Sequence, residues 1–243
     1  MATEQELASA ANRRPVGNAE VAPKPWEGFE GVALAGPRTS LEPVDADRDT
    51  ADIFRAATEG EDTDRIFDYM NVGPFTDKEQ VHALLVERQA SQDPVFVVYR
   101  DNDTGRLGGM GSFMEIRPAI GVAEIGHIWF GRDWQRNARA TEVLTLKMRH
   151  ALETLAYRRL EWKCDAINSA SRSAALRLGF RYEGIFLNHM IVKGRSRDTA
   201  WFSLTQEEWP AVADAHARWL APDNFDAQGK QKCSLSDLTR ALW

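Results

Sequence analysis

Cysteine is scarce in this chain. Its 243 residues carry two, Cys164 and Cys233, too few for a disulfide framework or a four-thiolate zinc site, and they form no C-x-x-C pair. That usage fits a reducing compartment, and no metal is expected. No apolar run approaches the roughly 20 residues that a bilayer span needs, so no membrane partner is expected. The stretch 1–25 lacks the apolar core of a signal peptide and carries Glu4, Glu6 and Glu20, which a transit peptide would avoid, so the expected location is cytoplasmic. A positive surplus is missing too. Lys and Arg number 30 against 36 Asp and Glu, a formal net charge of −6, which argues against a chain built to grip nucleic-acid phosphates. There is no internal repeat and no low-complexity run. What is present, 43% hydrophobic and 27% charged residues, is the composition of an ordinary globular chain long enough to bury a core. Eight tryptophans are many for this length.

The Ala/Asn/Glu/Pro-rich beginning reads as a mobile arm over residues 1–36. Residues 39–44 then read as a short strand. Residues 45–58 read as a helix with Ile53, Phe54 and Ala57 on one side. The aromatic segment 67–75, broken by Gly73-Pro74, reads as a loop that either packs or lines a pocket. Thr76 or Asp77 caps a helix to about Gln89, with Val81, Leu84 and Leu85 inward. Three strands follow at 95–99, 107–116 and 119–130, the first two joined by the turn 101–105. A long amphipathic helix over 140–156 aligns Leu144, Met148, Ala151, Leu152 and Leu155. A strand at 159–164 leads to a short helix capped by Asn168 and closed by Gly179. Strands at 180–192 and 199–205 flank a turn at 193–196, and a helix near 206–220 precedes a polar end containing Pro222 and Gly229. A helix inserted after an antiparallel meander predicts an α/β (α+β) fold with a mixed, mostly antiparallel central sheet and helices on both faces.

The chemistry-bearing stretch is 123–142. A strand delivers the chain into a loop rich in Arg and Gln, which opens the long helix. The first turn of a helix offers unpaired N–H groups and the positive end of its dipole, a ready phosphate site. Arg136 and Arg139 add charge there, and the small Ala138 and Ala140 let an anion approach. An arginine that is merely exposed gives the same pattern.

This stretch, with the segment 161–184 that runs from Glu161-Trp162-Lys163-Cys164 through Asn168 to Gly184, resembles the GCN5-related N-acetyltransferase (GNAT) superfamily. It is most similar to the ribosomal-protein-acetyltransferase-like branch, among longer bacterial and fungal proteins of unassigned substrate. The likeness extends to 67–75, 194–201 and 219–226, and covers about residues 37–238. It implies a GNAT domain at 37–210, a C-terminal helical extension at 211–243, and a V-shaped splay between strands 119–130 and 159–165 that receives acetyl-CoA. The pyrophosphate loop would be Gln135-Arg136-Asn137-Ala138-Arg139-Ala140 with Thr141 behind it. Alanine stands at the central glycine, which removes backbone freedom if that position needs a positive φ. Backbone groups of Ile128, Trp129 and Phe130 would hold the pantetheine arm, one N–H polarising the thioester carbonyl. Asn168 would touch the cofactor while also serving as a cap.

Acetyl transfer needs an amine freed of its proton and a proton for the departing thiolate. The candidate bases are Glu124 and His127, which strict alternation puts on opposite faces of their strand. Structural hydrogen bonding is the competing role for both. The helix after Asn168 lacks the tyrosine many relatives use as acid, and Ser171 is the candidate in its place. Glu161 and Asp165 are further carboxylates, and Cys164 lacks the partners of a nucleophile. Trp129, Trp134, Trp162 and Trp201 either wall an acceptor pocket or fill the core. The arginines at 158–159 and at 195 and 197 are either surface residues or 3′-phosphate contacts. The expected activity is acyl-CoA-dependent transfer, most simply of acetyl, to a primary amine of a small molecule or a protein N-terminus. The alternatives are a non-catalytic acyl-CoA-binding or regulatory module and a GNAT-like transferase using another donor such as aminoacyl-tRNA. The oligomeric state is left open, with a homodimer among the options.

Overall fold

The computed structural model describes residue 21 and residues 24–243. Most of the arm expected at 1–36 therefore lies outside the described residues. Its end does not hang free: Trp26, Phe29 and Val32 are buried in the main core, and Phe29 stacks on Phe113 at 4.3 Å.

Alternating apolar residues build an eight-stranded sheet in the order β1-β2-β3-β4-β5-β6-β8-β7. The strands are β1 (Leu34–Ala35), β2 (Thr39–Pro43), β3 (Val95–Asp101), β4 (Leu107–Arg117), β5 (Val122–Phe130), β6 (Arg159–Asp165), β7 (Arg181–Val192) and β8 (Arg195–Thr205). Every neighbouring pair is antiparallel except β5–β6. The last hairpin is longer than the sequence suggested. Pairing resumes at Arg195, with Val192 opposite Arg195, because Lys193 and Gly194 both take positive φ and turn the chain in two residues.

The helices are α1 (Ala46–Thr58), α2 (Lys78–Ala90), α3 (Ala138–Arg149), α4 (Ser169–Arg177), α5 (Trp209–Leu220) and α6 (Leu235–Arg240). Side chains of Asp45, Asp77, Asn137, Asn168 and Ser234 each accept from a backbone N–H of the first turn. α3 begins two residues before the expected start and ends in a π-type turn at His150–Thr154. α6 falls in the segment read as polar coil. Its Ser234-x-x-Asp237 pairing is a recognisable start, but at six residues the helix is too short for a periodic signal.

The two sheet faces carry separate cores. On one, α3, α4, α5 and α6 cover Val97, Tyr99, Phe113, Ile125, Leu160, Phe202 and Leu204. On the other, Ile53 and Ala57 of α1 and Val81 and Leu85 of α2 cover Phe96, Val98, Met110 and Trp129. The loop at 67–75 belongs to this second core: Phe67 is buried and packs against Phe75 at 5.2 Å and Trp129 at 5.4 Å. Among the described residues no helix is long and apolar enough to cross a membrane.

Candidate active site

The parallel β5–β6 ladder spans only three residue pairs, Val122–Arg159, Ala123–Leu160 and Glu124–Glu161. Beyond Glu124 the strands part, leaving 125–130 of β5 and 162–165 of β6 without each other as partners. The backbone groups lining this opening are free to bind an extended ligand.

A bulge shapes the β5 side. Met110 pairs with Trp129 and Ser112 with Gly126, so Gly111 alone faces both His127 and Ile128. His127 takes φ 50° to accommodate the extra residue. The bulge overturns the expected alternation. Ile125, Ile128 and Phe130 pack on the α3 face, whereas Trp129 belongs to the opposite core. His127 lies 5.2 Å from Phe96 of that same second core. Glu124, between the α3-facing Ala123 and Ile125, also points to the second face. Glu124 and His127 therefore share a face, in place of the opposite faces that strict period-2 geometry assigned.

Glu124 stands where the ladder ends. Lys163 of β6 reaches it at 2.9 Å and Glu161 at 3.1 Å, and the ammonium lies 4.2 Å from the Trp201 ring. Glu161 is also bound by Arg117 at 2.6 Å and Arg159 at 2.9 Å. Burial pushes the Glu124 carboxyl above the usual carboxylate range, against the pull of Lys163. Burial pushes Glu161 the same way, but Arg159, Lys163 and Arg117 outweigh it and hold that carboxyl low. Two neighbouring carboxyls are thus driven apart, one pushed up by burial and one held low by its cations. Lys163 is a site residue that no motif in the sequence marks. Its signal was available, since period-2 geometry on β6 puts it on the face of Glu161.

Ser112 pins the bulge. Its hydroxyl donates to Gly126 O at 3.2 Å and lies 3.0 Å from His127 Nδ1. With that single proton given to the carbonyl, His127 Nδ1 is the donor to Ser112 Oγ, leaving Nε2 with a free lone pair. Burial, aided by the charges of Arg88 and Lys147, lowers His127 to about 4, so its ring is neutral at physiological pH.

On the α3 face two helix N-termini, those of α3 and α4, follow the strands that form the opening. Ala138 is the first residue of α3 and has no positive φ. The left-handed residue of the loop is Arg136, at φ 59°. Alanine in the glycine position therefore costs no backbone strain, and Asn137 caps the helix by accepting from Ala140 N at 3.2 Å. The loop side chains are partly committed. Gln135 donates to Phe130 O at 3.0 Å, Arg139 binds Asp101 at 2.8 Å, and the Thr141 hydroxyl accepts from Arg177 at 3.0 Å. Arg136 is exposed and has no ion pair among the described residues. Arg132 Nε is buried without a hydrogen-bond partner. Free strand edges, two helix starts and an unspent guanidinium together fit a long anionic ligand such as a coenzyme A thioester.

Asn168 accepts from Ser171 N at 3.0 Å, and Ser171 Oγ accepts from Trp162 Nε1 at 3.0 Å. The same hydroxyl lies within hydrogen-bonding reach of the Cys164 sulfur. Cys164 is buried, and burial pushes its thiol up, which removes it as a nucleophile. Of the four tryptophans weighed as pocket walls, Trp134 and Trp162 lie in the main core and Trp129 in the second. Trp201 alone is half-exposed, with Nε1 buried and unpartnered, beside Phe186 at 4.6 Å and His189 at 5.8 Å. Arg159 is spent on Glu161 and Glu183. Lys193, at the hairpin turn, closes the second face by donating to Phe67 O at 2.9 Å.

Residues 38–181 match the family model described as an acetyltransferase (GNAT) domain. The chain belongs to the GNAT family of acetyltransferases. A solved GCN5-related N-acetyltransferase from Brucella melitensis is 40% identical, with a TM-score of 0.86 over 89% of this chain and 97% of that one. A Bacillus licheniformis protein, the uncharacterized N-acetyltransferase p20, is 30% identical over 148 residues, 58% of this chain and 80% of its own. Mycobacterium smegmatis RimJ, solved in complex with CoA-disulfide, shares the fold at 20% identity, with a TM-score of 0.66 over 78% of this chain and 94% of that one. These likenesses agree with the expected GNAT fold, its mixed sheet and flanking helices included.

Proposed function

We propose that this GNAT acetyltransferase moves an acetyl group from acetyl-CoA directly to a primary amine, on a small molecule or a protein N-terminus. The observation that carries the reading is the opening beyond Glu124–Glu161, with helix N-termini on one face and, on the other, a buried carboxyl held above the usual carboxylate range. The N–H groups of 138 and 139, with Arg136, would hold the pyrophosphate. Free backbone groups at 128–130 would align the pantetheine arm, and Asn168 would contact it. The bound thioester supplies the acetyl group: the acceptor nitrogen bonds to its carbonyl carbon and the carbon–sulfur bond breaks. An N–H of the bulge polarises that carbonyl. Glu124 takes a proton from the approaching ammonium, directly or through water. His127 accepts a hydrogen bond from the acceptor through Nε2, and the second proton, shed by the nitrogen as the amide forms, passes to the departing sulfur with Ser171 as the relay.

Thermal unfolding with and without acetyl-CoA tests the donor site. A ligand at about 100 times its Kd adds ~2.7 kcal/mol of stability. Free-thiol release across an amine panel then tests transfer. Glu124→Gln should lower kcat ~100-fold or more while leaving the acetyl-CoA shift intact. A shift without turnover on any amine would favour the binding-only alternative. No shift with acetyl-CoA, CoA or longer acyl-CoAs would sink the proposal.

A further inference from the structure

Lys147 occupies an unusual place in α3. Its side chain is fully buried, and among the described residues it has no ion pair. Nζ lies over Phe113 at 4.8 Å and near Tyr99 at 5.9 Å, and the Tyr99 hydroxyl is itself buried without a partner. The ammonium donates one hydrogen bond, to Ser112 O at 2.8 Å. A lysine placed so is a poor stabiliser, because burial strips its hydration and nothing of opposite charge replaces it.

What it touches explains the placement. Ser112 is the β4 residue paired with Gly126, at the edge of the bulge. Its hydroxyl holds Gly126 O and His127 Nδ1 on the far face of the sheet. Ladder bonding is disrupted wherever two residues face one, so a bulge needs other bonds to stay in a single geometry. Ser112 supplies them from its hydroxyl, and Lys147 fixes Ser112 by its carbonyl from beneath. Tyr99 adds a steric stop: a Cβ on Gly111 would lie 2.1 Å from its hydroxyl, so the ring edge presses directly on the residue that faces the bulge.

We infer that Lys147 is a positioning residue for acetyl transfer, holding Ser112 and through it the His127 bulge that aligns the thioester carbonyl and the acceptor. The inference rests on the proposed transferase function and names a residue outside the reacting groups. Local order is bought here at the expense of stability, as functional sites commonly do.

The test compares wild type, Lys147→Met and Ser112→Ala. Methionine keeps the length and removes the charge and the donor. Lys147→Met should lower kcat ~10-fold or more, with the acetyl-CoA KM within about twofold, since a small misplacement of reacting groups acts on the chemical step. Its melting temperature should not fall. Ser112→Ala should lower kcat as well, and the double variant should lose less than the product of the two, as expected for one chain of contacts. A readout independent of turnover is His127 in the NMR spectrum. Its ring should titrate above about 4 in Lys147→Met, because a nearby positive charge has gone, and the amide signals of Gly126 and His127 should shift.

Unchanged His127 titration and amide positions would overturn the inference whether or not an acceptor has been found. So would an active Lys147→Met protein with wild-type kcat, or one that loses kcat only together with its melting temperature. Absence of acetyl-CoA binding and of turnover in wild type would instead strike the transferase reading.

Discussion

Lys163 and Lys147 stand on opposite faces of one sheet, both removed from bulk water, and the protein treats them in opposite ways. Lys163 lies between the carboxylates of Glu124 and Glu161 and over the Trp201 ring. Lys147 meets one carbonyl and two aromatic faces. A buried charge with compensating partners is integral to its surroundings, and removing it strands the partners. A buried charge without them is a standing cost. The face that carries Glu124 is therefore electrostatically closed, and the face beneath it is held in tension.

The same substitution on each side separates the two cases most widely. Lys163→Met leaves Glu124 with no ion pair among the described residues, while Glu161 keeps Arg117 and Arg159. Loss of one partner from a buried pair costs about 3 kcal/mol or more. Part of that cost will be relieved by protonation of Glu124, whose carboxyl is already displaced upward. The variant should therefore melt well below wild type. Under the proposed mechanism, the acid limb of its kcat/KM profile should also move to higher pH. A melting temperature equal to wild type would mean that Lys163 is not the counter-charge it looks to be.

The buried histidine of the helical face gives a second, smaller contrast. His216 is fully buried between α3 and the end of α4, with Nε2–H donating to Leu178 O at 3.0 Å and Nδ1 accepting from Thr145 at 2.7 Å. Burial lowers it to about 4, the nearby Leu178 carbonyl opposing and the charges of Arg177 and Arg149 assisting. An unfolded histidine titrates near 6.5, so below that pH the unfolded chain gains a proton that the folded one refuses. Stability from this site is fully present above about 6.5 and is lost as pH falls through the window down to about 4, some ~3 kcal/mol in all. Denaturant melts at pH 7, 5.5 and 4.5 should show the slope, and His216→Gln should reduce it, His127 supplying part of what remains. A wild-type slope retained in that variant would assign the acid sensitivity elsewhere.

Much of this architecture was legible in the sequence because it is locally determined. Strand alternation, the apolar stripe of α3 and the Asp45, Asp77, Asn137 and Asn168 side chains each announce structure within a few residues. The candidate site was legible in its parts but not in its arrangement. The bulge is a count of residues across two strands, one Gly111 against His127 and Ile128, and no window along β5 contains that count. Missing it reversed the relation of Glu124 and His127. Lys147 had a visible signal, standing three residues after Leu144 and four before Ala151 on the apolar stripe. A lysine there is easily passed over as a residue whose stem packs while its head escapes to water. In this fold the head has no exit.

That confinement gives the last and smallest expected effect. Burial lowers Lys147 from 10.5 to about 7, so above neutral pH the folded chain releases a proton that the unfolded chain keeps up to about 10.5. A group depressed in this way contributes least to stability when it is charged in both states, below about 7, and the penalty fades as pH rises toward 10.5. Lys147→Met removes the penalty but leaves Ser112 O without that donor, which costs about 1–3 kcal/mol. The balance should be a net gain at pH 6, shrinking and then reversing as pH approaches 10. Paired denaturant melts of the two proteins at pH 6, 8 and 10 measure it. A gain that is constant with pH would show that burial does not shift the amine's affinity for its proton, and the tension between the two faces would then be one of packing and not of charge.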